Sequence, residues 1–266
     1  MQLANKSMKK EESRYADAVI FEGMTSLRAV IRAMEEKISD RRILRVIVDE
    51  AKKHSRAKEL SWLSYKSREL GFTIDYTDAA YIDTLTVGSS HGGIIFECTD
   101  RTIPSLSEEA DTSGGFFVML EGIEDPYNFG YALRSLYSCG ADGVILSPRN
   151  WMSASGVVCR SSAGASELLR AYVCDSFDSV QMFRNRGYKI VCAGIRDSVS
   201  SFDADLSKPI LLIIGGEKRG ISRALLDMAD IIVRIDYGRE FAGSLSAASA
   251  ASILGYEVMR QELKKQ

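Results

Sequence analysis

An apolar run at 116–120 is followed by Asp125-Pro126-Tyr127-Asn128-Phe129-Gly130-Tyr131-Ala132-Leu133-Arg134, with helical spacing continuing to 139. Pro, Asn and Gly stop a strand and restart the chain as a helix. Such a junction sets polar groups at the carboxyl edge of a parallel sheet, where open α/β proteins hold their ligands, and puts Arg134 in the helix's second turn. Small residues beside a strand end recur at Ile214-Gly215-Gly216-Glu217-Lys218-Arg219-Gly220-Ile221-Ser222 and at Gly243-Ser244-Leu245-Ser246-Ala247-Ala248. Three such segments in one half of the chain predict a single site.

The remaining pattern is also α/β. Strands are predicted at 19–21, 44–48, 72–74 and 93–98, with helices at 26–36, 57–70 and 78–85 between them. Residues 100–115 combine Pro104, serines, an acidic cluster and Gly114-Gly115, which is linker chemistry. Domains are therefore expected at 1–100 and 116–266, joined by a linker at 101–115. The second predicts strands at 116–120, 144–146, 189–193, 209–214 and 231–235, and helices at 127–139, 178–186, 222–228 and 245–264. Strands alternating with helices imply a parallel sheet covered on both faces. The last helix carries Leu245, Ala248, Ser249, Ser252, Ile253 and Tyr256 at three-and-four spacing, a stripe suited to the chain's own core or to a second copy.

A chain of 266 residues with 45% hydrophobic content can bury one large or two modest cores. Its longest apolar run, 210–214, falls far short of the roughly 20 residues that cross a bilayer, so an untargeted cytoplasmic protein is expected. Five cysteines without a Cys-x-x-Cys pair, and only His54 and His91 as histidines, point to reduced thiols and to no metal site. The net charge of −2 argues against a protein that coats nucleic acid. Residues 1–70, however, hold 16 Lys/Arg against 11 Asp/Glu, so the N-terminal domain is the end that would face a polyanion. Arg41, Arg42, Arg45, Lys52, Lys53, Arg56 and Lys58 either form that face or only solvate helices and loops.

The three segments, in their order, resemble the SpoU/TrmH family of RNA 2′-O-ribose methyltransferases, S-adenosylmethionine-dependent enzymes of the knotted SPOUT class. Asn128, Gly130 and Arg134 fit the family's Asn-x-Gly-x-x-x-Arg, and Gly215, Glu217 and Gly220 fit its Gly-x-Glu-x-x-Gly. Its third motif, Ile-Pro followed by Ser-Leu-Asn-Val-Ser, is matched in part by Ile235-Asp236 and Ser244-Leu245-Ser246-Ala247-Ala248. Asp236 stands at the proline and Ser246 at the asparagine. Ser162-Ala163-Gly164-Ala165 and Tyr256-Glu257-Val258-Met259-Arg260-Gln261 are similar to the family's too.

The resemblance implies a trefoil-knot SPOUT domain preceded by a small α/β RNA-binding domain, opened by Gly23-Met24-Thr25-Ser26-Leu27 and closed near Ser90-His91-Gly92-Gly93. It implies a homodimer, and cofactor binding by Gly215, Gly216, Glu217, Gly220, Ile235, Ser244 and Leu245. Asn128 and Arg134 become the catalytic residues, and these two with Glu217 and Ser246 bind the substrate. Direct methyl displacement needs alignment more than a protein nucleophile. Glycines at 215, 216 and 220 allow backbone to approach a cofactor. Glu217 accepts a hydrogen bond from a hydroxyl or favours the following helix, for which Ser222 reads as a cap. Asn128 fixes its turn or contacts the ribose. Arg134 forks onto a phosphate or, as proposed for the family, takes the hydroxyl proton. Ser246 lacks the amide donor that asparagine would supply. His91, without a partner motif, is expected to be structural.

The implied activity is 2′-O-methylation of a ribose in RNA, ribosomal in preference to transfer RNA by analogy of the N-terminal domain. Asp236 and Ser246 motivate the alternative of a relative that binds RNA without catalysis. No Gly-x-Gly-x-Gly turn and no Gly-Lys-Ser/Thr loop follows a strand, against a Rossmann-type or P-loop enzyme.

Overall fold

A computed structural model describes residues 18–86, 91–148 and 154–265. The chain divides into two compact units, the first ending at Thr102 and the second beginning at Ile103. No helix among the described residues is long and apolar enough to cross a membrane.

Unit one comprises β1 (Val19–Glu22), α1 (Gly23–Glu35), β2 (Ile43–Asp49), α2 (Ala57–Leu70), β3 (Thr73–Thr77), α3 (Ala79–Leu85) and β4 (Ile94–Cys98). Its sheet runs β1-β4-β2-β3, with β4 antiparallel to both neighbours and β3 parallel to β2. All five residues of β4 are buried, including Glu97. A buried carboxylate needs a partner, and Arg45 on the neighbouring strand supplies it through Nε and Nη2 at 2.8 and 2.9 Å. Arg41 is buried as well; it donates to the Thr99 carbonyl at 2.9 Å and lies 4.9 Å from the centroid of the Phe21 ring. These two arginines are therefore core residues, which corrects their assignment to a basic face or to solvated positions. Arg42, Lys52, Lys53 and Lys58 remain exposed, while Arg56 is half-buried and paired with Glu59 at 2.8 Å. His91 is buried and its Nδ1 accepts the Gly93 N–H at 3.0 Å. The ring proton then sits on Nε2, 2.9 Å from Asp83 Oδ1, and the histidine fixes the turn into β4.

Unit two comprises β5 (Phe116–Glu121), α4 (Pro126–Ser138), β6 (Gly143–Leu146), α5 (Ser155–Ser161), α6 (Ala165–Leu168), β7 (Arg170–Val173), α7 (Ser176–Asn185), β8 (Lys189–Ala193), β9 (Val199–Ser200), β10 (Ile210–Gly215), α8 (Arg223–Leu226), β11 (Ile231–Arg234) and α9 (Ala247–Leu263). The sheet order is β7-β6-β5-β10-β8-β11-β9, and every pairing is parallel. Alternate residues of β5 enter opposite cores: Phe116, Val118 and Leu120 pack with α4 and α9, whereas Phe117 and Met119 pack with α7. That is why its sequence is an unbroken apolar run. Of residues 101–115, expected as a linker, 104–106 pair with the end of β7. The Leu106 N–H donates to Val173 and the Val173 N–H to Pro104, each at 2.9 Å, with Leu106 buried.

Candidate active site

Strands β8, β10 and β11 end at the same edge of the sheet. The residues that follow them, with Ser244, Leu245 and the first turns of α9, enclose a cavity of about 530 Å³. This is the carboxyl edge, where parallel sheets hold ligands, and the volume falls within the range of small-molecule sites, roughly 300–1,000 Å³. Gly215, Gly216, Glu217, Gly220, Ile235, Ser244 and Leu245, all expected at a cofactor site, line it together.

Glu217 joins the three segments. Its Oε1 accepts from the Asn128 side-chain amide at 3.2 Å and from the Ala247 N–H at 3.0 Å. Ala247 opens α9, so the carboxylate also sits at the positive end of a helix. Asn128 does not fix its own turn: Asp125 does, accepting the Tyr127 N–H at 3.1 Å with Pro126 in the first helical turn. Ser246 is the N-cap of α9, accepting the Ser249 N–H at 3.1 Å, and it lies off the cavity wall. Asn and Ser are comparable N-caps, so serine at the asparagine position keeps the helix start. Ser222 occupies the N-cap position of α8, but its side chain makes no capping bond.

Arg134 is exposed on α4, makes no ion pair among the described residues and does not line the cavity. Its helix runs alongside α9. Ser252 Oγ donates to Ser135 Oγ at 2.7 Å, and Gly255 packs against Leu136 and Cys139. With Asn128 and Ala247 on one carboxylate, the N-termini of α4 and α9 converge at Glu217. The small-residue stripe read on α9 is only partly covered by the chain's own core. The buried face is Ala247, Ala251, Leu254, Gly255 and Val258, and Ile253 and Tyr256 point outward.

The glycines serve the protein's own packing as well as the cavity. A Cβ at Gly216 would lie 2.0 Å from the Gly122 carbonyl oxygen, and one at Gly215 would lie 2.4 Å from the Gly220 carbonyl carbon. Backbone meets backbone there, and no side chain fits. Gly220 has a φ of +62° in open space, a turn requirement instead.

Asp236 accepts hydrogen bonds from Ser200 Oγ and from Arg234 Nε, and these hold its carboxyl below the usual range. Arg234 also donates to the Ser198 carbonyl at 2.7 Å. The aspartate thus ties the end of β11 to β9, below the loop that carries Ile195 and Arg196 into the cavity wall. Arg196, Arg219 and Arg223 give the cavity a cationic side; Ile214, Ile221, Leu226, Ile232 and Leu254 give it an apolar one. Apolar walls suit an adenine ring, and guanidinium groups suit the amino-acid carboxylate, so these residues fit S-adenosylmethionine. Arg196 and Tyr237 were not anticipated. Arg196 follows the predicted strand 189–193, and the carboxyl-edge rule applied to that strand would have found it.

A crystal structure of an AdoMet-bound rRNA methyltransferase from Sinorhizobium meliloti superposes with a TM-score of 0.74 at 22% identity, covering 92% of this chain and 88% of that one. The likeness is one of fold. The 23S rRNA (guanosine-2′-O-)-methyltransferase RlmB of Shewanella oneidensis is 25% identical, covering 96% of this chain and 99% of its own length. The TrmH family protein YacO of Bacillus subtilis is 27% identical over 88% of this chain and 93% of its own length. The description of the SpoU rRNA Methylase family matches residues 115–256, and the chain belongs to that family.

Proposed function

We propose that the protein transfers the methyl group of S-adenosylmethionine to a ribose 2′-hydroxyl of RNA, with ribosomal RNA as the substrate. The observation that carries this reading is the meeting of three separated segments on Glu217 beside a cavity that fits the cofactor. The name of the Shewanella relative, a 23S rRNA 2′-O-methyltransferase, supports the choice of RNA. Bound there, the cofactor supplies an electrophilic methyl group. The glycine segment and Leu245 hold it, and Asn128, fixed by Glu217, orients the ribose. Arg134, exposed and charged, takes the phosphate of the target nucleotide. Asp236 and Ser246, which motivated a non-catalytic alternative, make structural bonds and lie off the cavity wall.

Unit one, with Lys52, Lys53 and Lys58 exposed, is proposed to grip the RNA. The outward Tyr127, Tyr131, Ile253 and Tyr256 support a homodimer, and the cytoplasm is the proposed compartment. A trefoil knot in unit two belongs to the same reading.

The test is titration calorimetry with S-adenosylhomocysteine, followed by tritiated-methyl transfer to ribosomal and transfer RNA transcribed without modifications. Transfer to ribosomal RNA that leaves an alkali-resistant linkage is the expected result. No heat at millimolar ligand overturns the cofactor, and binding without transfer to either RNA overturns the enzyme.

A further inference from the structure

Between β11 and α9 the chain builds a second, shallow hollow of about 350 Å³, lined by Tyr237, Gly238, Arg239, Phe241 and Leu245. Tyr237 and Leu245 line the larger cavity too, so the two are contiguous. The Phe241 side chain is 62% exposed and Tyr237 39%. Large apolar rings left in water beside a site mark a binding surface. The ledge is preorganised: a Cβ at Gly243 would come within 2.5 Å of the Phe241 ring, so the glycine makes room for it. The Leu245 N–H donates to the Tyr237 hydroxyl at 3.2 Å, and the two ring centroids lie 6.1 Å apart. Arg239 is exposed and makes no ion pair among the described residues. None of Phe241, Gly243 and Arg239 has a part in the site as described so far.

We propose that this hollow receives an unpaired nucleobase of the RNA, stacked on Phe241, with Arg239 on an adjoining phosphate. The inference rests on the reading of the protein as an RNA ribose methyltransferase. Sequence-tolerant recognition of single-stranded RNA stacks splayed bases on aromatic rings and places cations along the backbone. An exposed ring with an unpaired guanidinium two residues away offers both. Contiguity with the cofactor cavity brings the sugar of the stacked nucleotide to the cavity mouth, where a 2′-hydroxyl is needed. A second copy of the chain would cover the same rings, and the test separates the two.

The full chain is compared with Phe241→Ala, Phe241→Trp and Arg239→Ala. Affinity for a fluorescein-labelled oligoadenylate is read by anisotropy with S-adenosylhomocysteine present, and KM is read for transcribed ribosomal RNA. Phe241→Ala is expected to weaken oligoadenylate binding and raise the RNA KM about tenfold. Affinity for S-adenosylhomocysteine stays within about twofold, and Phe241→Trp restores RNA binding. Arg239→Ala lowers the slope of log K against log salt by roughly one. Unchanged anisotropy and KM in Phe241→Ala overturn the proposal, as does a shift from dimer to monomer on gel filtration, which would put Phe241 between copies. If the wild type takes no S-adenosylhomocysteine, the methyltransferase reading fails instead, and the anisotropy comparison without ligand still decides the ledge.

Discussion

The Asn128 amide and the Ala247 N–H share one acceptor, Glu217 Oε1, at 3.2 and 3.0 Å. A single carboxylate thus holds the starts of α4 and α9 together beside the cavity. Glutamine at 217 keeps one acceptor oxygen but removes the charge from the α9 N-terminus and turns its amide hydrogens toward one of the two donors. Glu217→Gln is expected to lose about 1–2 kcal/mol of stability and to weaken S-adenosylhomocysteine binding. Urea unfolding and calorimetry measure the two effects, and wild-type values in both would break the link drawn between these segments.

Gly216 and Gly220 separate two uses of glycine. At 216 a methyl group meets the backbone of Gly122, just past the end of the neighbouring strand β5, so Gly216→Ala should cost about 3 kcal/mol or more, or prevent folding. At 220 the space is open and only the positive φ matters, so Gly220→Ala should cost about 1 kcal/mol. Equal unfolding midpoints for the two variants would contradict the close backbone approach at Gly216.

Much of this was legible in the residues. Long apolar runs such as that of β5 declare a sheet covered on both faces, and helical spacing over 57–70 matches the observed bounds of α2, which Gly71 closes in a left-handed conformation. β7 and β9 were missed. β7 is four half-polar residues and β9 only two, too short for any period to register. The linker expectation at 101–115 came from composition, which hid Leu106 among serines and acids. For the site, the segment order was enough to collect the cavity-lining glycines. It could not disclose that Glu217 bonds Asn128, a contact between residues 89 apart in sequence. Nor could charge counting show that Arg41 and Arg45 are spent inside unit one.

Arg134 supports a clean separation of activity from stability. Exposed and without an ion pair among the described residues, it contributes little to folding. Arg134→Ala and Arg134→Lys should melt within ~1 °C of wild type, while single-turnover methyl transfer falls about 100-fold as the target phosphate loses its fork. Full turnover in the lysine variant would remove Arg134 from the site.

Arg45 makes the opposite case. Its bidentate bond to the fully buried Glu97 leaves an uncompensated charge in the core of unit one when broken. Arg45→Met should cost about 3–5 kcal/mol, and adding Glu97→Leu should recover most of that loss. Unfolding curves of the single and double variants decide; additive losses would mean that the pair is not the source.

Two carboxyls in unit two should bend the stability–pH curve in opposite senses. Bonds from Ser113, and then the Arg170 guanidinium, pull Asp111 down to about 2 in the folded protein. Unfolded, it titrates near 3.9, so its contribution is complete above that value and is lost as pH falls from about 4 toward 2. Burial pushes Glu121 up, and the Ser222 N–H bond at 3.3 Å offsets that only in part. The folded state there holds its proton more tightly than the unfolded chain, so stability falls as pH rises past the ordinary carboxylate range. Asp111→Asn should flatten the acid limb below about pH 4 by lowering the neutral plateau by the same amount, a small one because the side chain is 63% exposed and screened. Glu121→Gln retains an acceptor for Ser222 without the buried charge, and should match or exceed wild-type stability at pH 7. Denaturant midpoints at pH 3, 5 and 7 for both variants test the pair, and a Glu121→Gln protein weaker than wild type at pH 7 would show that the charged carboxylate is needed where it stands.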